Sequence, residues 1–123
     1  MKRVKFKGVP VEIIVLNRHF RSPDEEVFEE TMLCFNSIYS IKQVDENGID
    51  AERLDINIPI AGNYLPPVTW EKLQDKHNVF TLRRRDIIVL CGRQWVIDSV
   101  EDRSMQMFGK HFRVRCFEGI SIV

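Results

Sequence analysis

Apolar and polar residues alternate with a period of two along much of the chain, which predicts β-strands. The clearest alternating segments are residues 53–60 and 111–117. The positions predicted to face inward are Leu54, Ile56, Ile58 and Ile60 in the first segment and Phe112, Val114 and Cys116 in the second. Pro59 lacks an N–H group, so it places the end of the first strand at a sheet edge.

The segment 80–100 predicts a central β-hairpin around which the chain is organised. Its strands are residues 86–90 and 94–100, joined by a tight turn at Cys91-Gly92-Arg93. Gly92 supplies the positive φ that a short hairpin loop with a bulge requires. Ile87 and Val89 share one face of the first strand and Ile88 and Leu90 the other. Apolar groups on both faces predict that this hairpin is covered, at least in part, on both sides.

The amino-terminal half predicts further strands. Residues 2–7 and 11–16 form either a hairpin around Gly8-Val9-Pro10 or one long bent strand. Residues 31–35 and 38–44 are interpreted as one strand region with an irregularity at Asn36-Ser37. The following Asp45-Glu-Asn-Gly48 contains the Asn-Gly pair that favours a two-residue hairpin loop.

Two polar segments predict long loops, and one segment predicts a short helix. Residues 17–30 are rich in acids and contain the turn signal Ser22-Pro23-Asp24. Residues 101–110 form the second loop, with Met105, Met107 and Phe108 as apolar side chains. The helix is expected at residues 69–75, capped by Thr69. We therefore predict an all-β protein, a small β-barrel or sandwich of six to eight mostly antiparallel strands with one short helix and two long loops.

Length and composition fit one ordinary soluble domain over residues 1–123. Apolar residues make up 44% of the 123 residues and charged residues 29%. The longest apolar run, residues 87–91, is too short to cross a membrane, and no secretion signal is evident. Three cysteines (Cys34, Cys91 and Cys116) at unrelated spacings argue against a disulfide framework and fit a reducing cytoplasm. They are expected to be small buried thiols.

Charges are segregated along the chain although its net charge is zero. Six basic residues and one acid give residues 1–21 a net charge of +5, and two basic residues and ten acids give residues 22–55 a net charge of −8. The remainder, with ten basic residues and seven acids, has a net charge of +3. Opposed patches permit head-to-tail contacts between copies, although without a known partner plain solvated surface explains them better.

The sequence does not predict catalytic chemistry. It has no Gly-x-Ser-x-Gly elbow, no glycine-rich phosphate loop and no zinc-ligand spacing between histidines and cysteines. We therefore expect no enzyme activity, cofactor or metal. A basic face near the central hairpin keeps a second class open, a small-barrel nucleic-acid-binding module. Its candidate residues are Arg83, Arg84, Arg85, Arg93, Arg113 and Arg115.

Several short motifs occur in a characteristic order between residues 11 and 111. They are Val-Leu-Asn-Arg (15–18), Asp-Glu-Asn-Gly-Ile-Asp-Ala-Glu (45–52), Leu-Asp-Ile-Asn-Ile-Pro (54–59), Tyr-Leu-Pro-Pro (64–67), Phe-Thr-Leu-Arg (80–83), Asp-Ile-Ile-Val (86–89) and Ile-Asp-Ser-Val-Glu-Asp (97–102). This order resembles small minor capsid or head–tail connector proteins of tailed phages and prophages of Gram-positive bacteria. The chain departs from the family where Arg85-Asp86 replaces the expected Gly-Asp before the central hairpin.

The resemblance implies an all-β virion subunit that forms a homo-oligomeric ring between portal and tail and is assembled in the cytoplasm of the bacterial host. No catalytic residue is implied. We expect the acids of the first loop to meet basic groups, such as Arg3, Lys5 and Lys7 of a neighbour. The arginine cluster would face packaged DNA or an adjoining ring, and the second loop would contact partners. The predicted partner-binding residues are Asp24, Glu25, Glu26, Glu29, Glu30, Arg83, Arg84, Arg85, Met105, Met107 and Phe108.

Overall fold

The computed structural model describes residues 8–46, 49–60, 62–103 and 110–118. Within these ranges the chain forms seven β-strands in one antiparallel sheet and one short helix, which confirms the predicted all-β class. The elements are β1 (Val9–Ser22), β2 (Glu25–Ser37), β3 (Tyr39–Glu46), β4 (Ile49–Pro59), α1 (Pro67–Lys72), β5 (Ile87–Leu90), β6 (Arg93–Asp102) and β7 (His111–Glu118).

The hairpin of β5 and β6 lies at the centre of the sheet, as predicted. The strand order is β2-β1-β5-β6-β7-β4-β3, so three strands lie on one side of this hairpin pair and two on the other. Its turn has two residues, Cys91 and Gly92, because Leu90 pairs directly with Arg93. Both turn residues have positive φ, 52° and 74°, as in a type I′ turn. The predicted three-residue loop with a bulge is therefore wrong.

The strands β2 and β3 follow each other in the chain but lie at opposite edges of the sheet. The prediction of one interrupted strand is wrong, because the chain changes edges at Ser37 and Ile38. There, Ser37 Oγ donates to Asn57 O at 2.5 Å, and Asn57 N donates to Ile38 O at 3.2 Å. The two edges thus meet at one corner, but no described ladder joins them, and the sheet curls without closing into a barrel.

The core lies on the inner face of this curled sheet. Its fully buried side chains include the predicted Leu54, Ile56 and Ile58 of β4 and Val114 and Cys116 of β7. The turn predicted at Asp45-Glu-Asn-Gly48 fits the structure, since Glu46 pairs with Ile49. The pair Asn47-Gly48 itself lies outside the described residues.

The segment predicted as an acidic loop, residues 17–30, is instead the distal half of a long β1–β2 hairpin. Its strands pair from Val9–Ser37 to Ser22–Glu25, and its turn is Pro23-Asp24. The neighbouring strand β5 pairs with β1 only at residues 13–16, so within the described ranges the distal half has no further sheet neighbour. Its outward positions are polar or exposed, and it therefore lacks the alternation that identifies a half-buried strand.

The helix α1 lies in the long connection between β4 and β5. It begins at Pro67, earlier than predicted, and Thr69 is not its cap, because the N-cap is Pro66 without a side-chain hydrogen bond. Proline at the first helical position needs no N–H partner and has a φ suited to a helix. Trp70 is the buried residue of this helix, and Phe80 and Leu82, farther along the same connection, belong to the core.

Candidate interaction surfaces

A buried polar group joins the root of the β1–β2 hairpin to the connection before β5. Asn17, fully buried, donates from Nδ2 to Thr81 O at 2.7 Å and to Asp86 Oδ2 at 2.8 Å. Its Oδ1 accepts from Thr81 N at 3.1 Å, so donors and acceptor of this side chain are all used. Asp86 also accepts from Arg18 N at 3.2 Å. These contacts hold two distant segments of sequence together.

Arg83 completes this group and is not a free surface arginine. Its Nε and Nη2 donate to Asp86 at 2.8 and 3.1 Å, and Nη1 donates to Glu71 at 3.1 Å. Nη2 also donates to Arg18 O. Burial lowers the pKa of Arg83, but the hydrogen bonds and negative charges of Asp86 and Glu71 outweigh it and raise the pKa above its usual value. This guanidinium is therefore committed to structure.

Trp70 fixes the helix against the hairpin through its ring. The guanidinium of Arg83 and the ammonium of Lys76 lie 4.8 and 4.7 Å from the ring centroid. The ring of His19 meets it edge-on at 5.7 Å, and His19 Nε2 lies 2.8 Å from Glu29 Oε1. An open cleft of about 500 Å³ borders this group. The contacts explain why a helix of only six residues keeps its position.

The structure separates the three consecutive arginines predicted to act together. Whereas Arg83 is held inward, Arg84 is 70% exposed and lies 4.0 Å from Asp98. Arg85 is also exposed and has a φ of 77° in the turn closed by Asp86 N donating to Arg83 O at 3.2 Å. This is the third turn position, where type II turns place glycine. Arg85 thus keeps the backbone shape that the expected glycine would adopt.

The predicted acidic residues lie together on the distal half of the β1–β2 hairpin. Three of them have partners in the same hairpin: Glu25 with Arg21 at 3.7 Å, Glu26 with Arg18 at 3.3 Å, and Glu29 with His19. In the described part of the chain, Asp24 and Glu30 form no ion pair. The structure brings these five acids together on one hairpin, and Arg83 of the predicted DNA-facing cluster contacts the same hairpin at Arg18 O.

The outer face of this hairpin also exposes apolar side chains. Phe20 is 62% exposed, Phe28 44% and Met32 60%. The register places Phe20 opposite Glu26 and Phe28 opposite Arg18, so aromatic and charged groups alternate across the two strands. Exposed aromatic groups beside charges are common where proteins dock.

A second charged surface lies on the outer face of β4 and β7, and sequence reasoning did not identify it as a unit. The buried carboxylate of Asp55 lies 3.1 Å from both Nε and Nη2 of Arg53 and 3.5 Å from Nε of Arg115. Arg113 Nη1 donates to Asn57 Oδ1 at 3.0 Å. Arg115 remains 49% exposed. The signal available in the sequence was the shared outward position of these residues on two strands that only the fold brings together.

The remaining predicted sites divide into those that the structure describes and those that it does not. Met105, Met107 and Phe108 lie outside the described residues, as do Arg3, Lys5 and Lys7. The expected burial of all three cysteines is wrong for Cys34 and Cys91, which are exposed, and right for Cys116. Burial, with the nearby charges of Asp55 and Asp98, raises the pKa of the Cys116 thiol.

Two further findings apply to the described residues alone. Among them, no three His, Cys, Asp or Glu side chains are grouped as a metal ion would require. The helix they contain is also too short and too polar to span a membrane.

Comparison with known proteins gives a likeness of fold. No protein-family model matches the sequence, and no curated protein matches it significantly. A chain in the solved structure described as "Virion of native gene transfer agent (GTA) particle" has a similar fold, with a TM-score of 0.51 and 11% sequence identity. The superposition covers 96% of each chain. The present chain therefore shares its architecture, over nearly its full length, with a component of that particle.

Proposed function

We propose that this chain is a virion structural protein of a tailed phage or prophage, a head–tail connector or head-completion subunit that docks between portal and tail without a chemical step. The observation that supports this best is the fold shared with a virion component over 96% of both chains. The order of short sequence motifs, which resembles head–tail connector proteins of phages of Gram-positive bacteria, supports the same role independently.

The surfaces described above suit a docking protein. The exposed Phe20, Phe28 and Met32 lie on a paired β-hairpin, and charged groups surround them. A preformed hairpin loses little conformational freedom when it binds, because its backbone is already ordered. In this proposal the partners are further copies of the chain in a ring, the portal or adaptor protein and a tail protein. The exposed Arg84 and Arg85 would face the adjoining ring or packaged DNA.

The proposal is tested by deleting the gene from the phage or prophage that carries it. We expect filled heads and separate tails in electron micrographs, and whole virions again when the chain is supplied in trans. Purified wild-type particles should contain the chain by mass spectrometry, and the purified chain should bind portal or tail proteins. Normal particles from the deletion strain would contradict the proposed role.

A further inference from the structure

Two separate parts of the sheet carry opposite charges. One is the hairpin tip, defined here as residues 18–30, with five carboxylates, two arginines and a net charge of −3 if His19 is neutral. The other is the arginine patch, defined here as Lys42, Arg53, Arg113 and Arg115 around Asp55, with a net charge of +3. The described contact between the two edges lies at Ser37, the end of β2 opposite the tip, so the two surfaces are separate.

The arginine patch is preorganised to accept carboxylates. Asp55 fixes Arg53 and Arg115 from below, and Asn57 fixes Arg113. Each guanidinium has five N–H donors in a rigid fork, so donors remain for a partner after these bonds form. Glu101 lies opposite Arg113 in the strand register, but its carboxylate accepts a hydrogen bond from Arg103 Nη2 at 3.3 Å. The patch therefore keeps an excess of positive charge on a fixed surface.

The hairpin tip offers the groups that such a patch binds. Asp24 and Glu30 have no ion-pair partner in the described part of the chain, and Glu25 and Glu26 are held only by exposed pairs at 3.7 and 3.3 Å. Phe20 and Phe28 are exposed on the same outer face as Glu26 and Glu30. Planar guanidinium groups stack on aromatic rings as well as binding carboxylates, so both kinds of side chain on the tip have a partner on the patch.

From this complementarity we infer that the hairpin tip of one copy docks on the arginine patch of a second copy. The inference rests on the proposed function, in which copies assemble side by side. The two surfaces differ, so the contact is heterologous, and each molecule still has one free surface of each kind after the first contact. Repeated contacts of this type generate a ring when the rotation between copies closes and a filament when it does not.

A charge exchange between two variants tests the contact. Asp24→Lys/Glu30→Lys reverses the tip, and Lys42→Glu/Arg113→Glu reverses the patch. None of these four residues forms a described ion pair, and the one described side-chain hydrogen bond lost is that of Arg113 to Asn57, so both variants are expected to fold, which their melting temperatures check. Self-association is measured by sedimentation velocity at low and high salt, because screening weakens contacts between exposed charges. Lys72→Glu, on α1 and outside the residues of both surfaces, is the control.

We expect the wild type and Lys72→Glu to associate at low salt and to separate at high salt. Each reversed variant alone should associate about tenfold or more weakly, which corresponds to about 1.4 kcal/mol. An equimolar mixture of the two reversed variants should associate again, because each basic tip then meets an acidic patch and each acidic tip a basic one. The mixture has the net charge of the wild type, so recovery cannot come from total charge.

Three results would overturn the inference: a wild type that stays monomeric at low salt and high concentration, association unaffected by either reversal, or no recovery in the mixture. An oligonucleotide bound through Arg113 and Arg115, with self-association independent of the tip, would assign the patch to nucleic acid and also overturn it. Binding to portal or tail proteins is measured separately with the same variants. A chain that binds those proteins but not itself refutes this contact alone, whereas a self-associating chain that never enters virions refutes the proposed function.

Discussion

Asp86→Ala is predicted to be among the most destabilising single substitutions outside the apolar core. The Asp86 side chain is 1% exposed and accepts from Asn17, from the backbone N–H of Arg18 and twice from Arg83. Truncation leaves a half-buried guanidinium and a buried amide without their acceptor. Breaking a buried ion pair from one side typically costs about 3–5 kcal/mol, because the remaining charge stays desolvated. That is a large part of the about 5–15 kcal/mol by which most domains are stable.

The free energy of unfolding is measured by urea denaturation with tryptophan fluorescence, which both buried tryptophans report. Asp86→Asn keeps the volume but places an N–H₂ group against existing donors, so we expect a loss of at least about 2 kcal/mol. Asp24→Ala, an exposed aspartate at the hairpin turn, is the control. In the double-mutant cycle, Asp86→Ala should lower the free energy of unfolding less when Arg83→Met is already present, because no buried guanidinium is then left without its acceptor. If Asp86→Ala lowers the free energy of unfolding no more than Asp24→Ala does, the hydrogen bonds of Asp86 do not stabilise the fold.

Three further predictions concern backbone strain, close packing and the buried thiol. Arg85→Gly should raise the free energy of unfolding by about 1 kcal/mol, because Arg85 has a φ of 77°, which glycine adopts without strain. Arg84→Gly is the control and should lower it, and urea denaturation measures both. Gly8→Ala should cost about 1–3 kcal/mol in the same assay, because a Cβ would lie 2.6 Å from the backbone of Ser37, and a neutral effect would contradict this. In the native protein Cys34 and Cys91 should react with a thiol reagent and Cys116 only after unfolding. The raised pKa of Cys116 means that the folded state favours the neutral thiol. The contribution of this thiol to the free energy of unfolding is therefore complete below pH 9.0 and declines above it by about 1.4 kcal/mol per pH unit. Cys116→Val should remove this pH dependence.

The sequence predicted those strands that have one buried face. In β4 the alternation of Leu54, Ile56 and Ile58 with polar residues identified both the strand and its orientation, since burial acts on each residue locally. The distal hairpin could not be found in this way, because its outward face is exposed and its inward face carries His19 and Glu29. The change of sheet edge at Ser37 also has no local signal. It depends on which strands pair, and those pairs are far apart in sequence.

The buried polar group of Asn17, Asp86 and Arg83 illustrates the same limit and shows what signal was available. Asn17 is 64 residues from Thr81 and 69 from Asp86, so no local spacing could join them. Yet Asn17 continues the inward series of Val11, Ile13 and Val15, and Asp86 begins the series of Ile88 and Leu90. A polar residue in an inward position must find a partner, because burying it without one is costly. These two positions were therefore an available signal for buried hydrogen bonding, which placing Asn17 in a loop overlooked, but they could not show that the two residues bond to each other.

The acids of the hairpin tip are held on paired strands and not on a loop, which changes the entropy cost expected for docking. The sequence led us to expect an acidic loop that becomes ordered only on its neighbour, and such ordering reduces affinity. In the structure the acids lie on paired strands whose root is held by Asn17, Asp86 and Arg83. The tip can then present Asp24 and Glu30 without first losing loop entropy. If the inferred contact forms, weakening the root should weaken docking although Asp86 lies outside the hairpin tip. Asp86→Asn should then reduce self-association in sedimentation velocity.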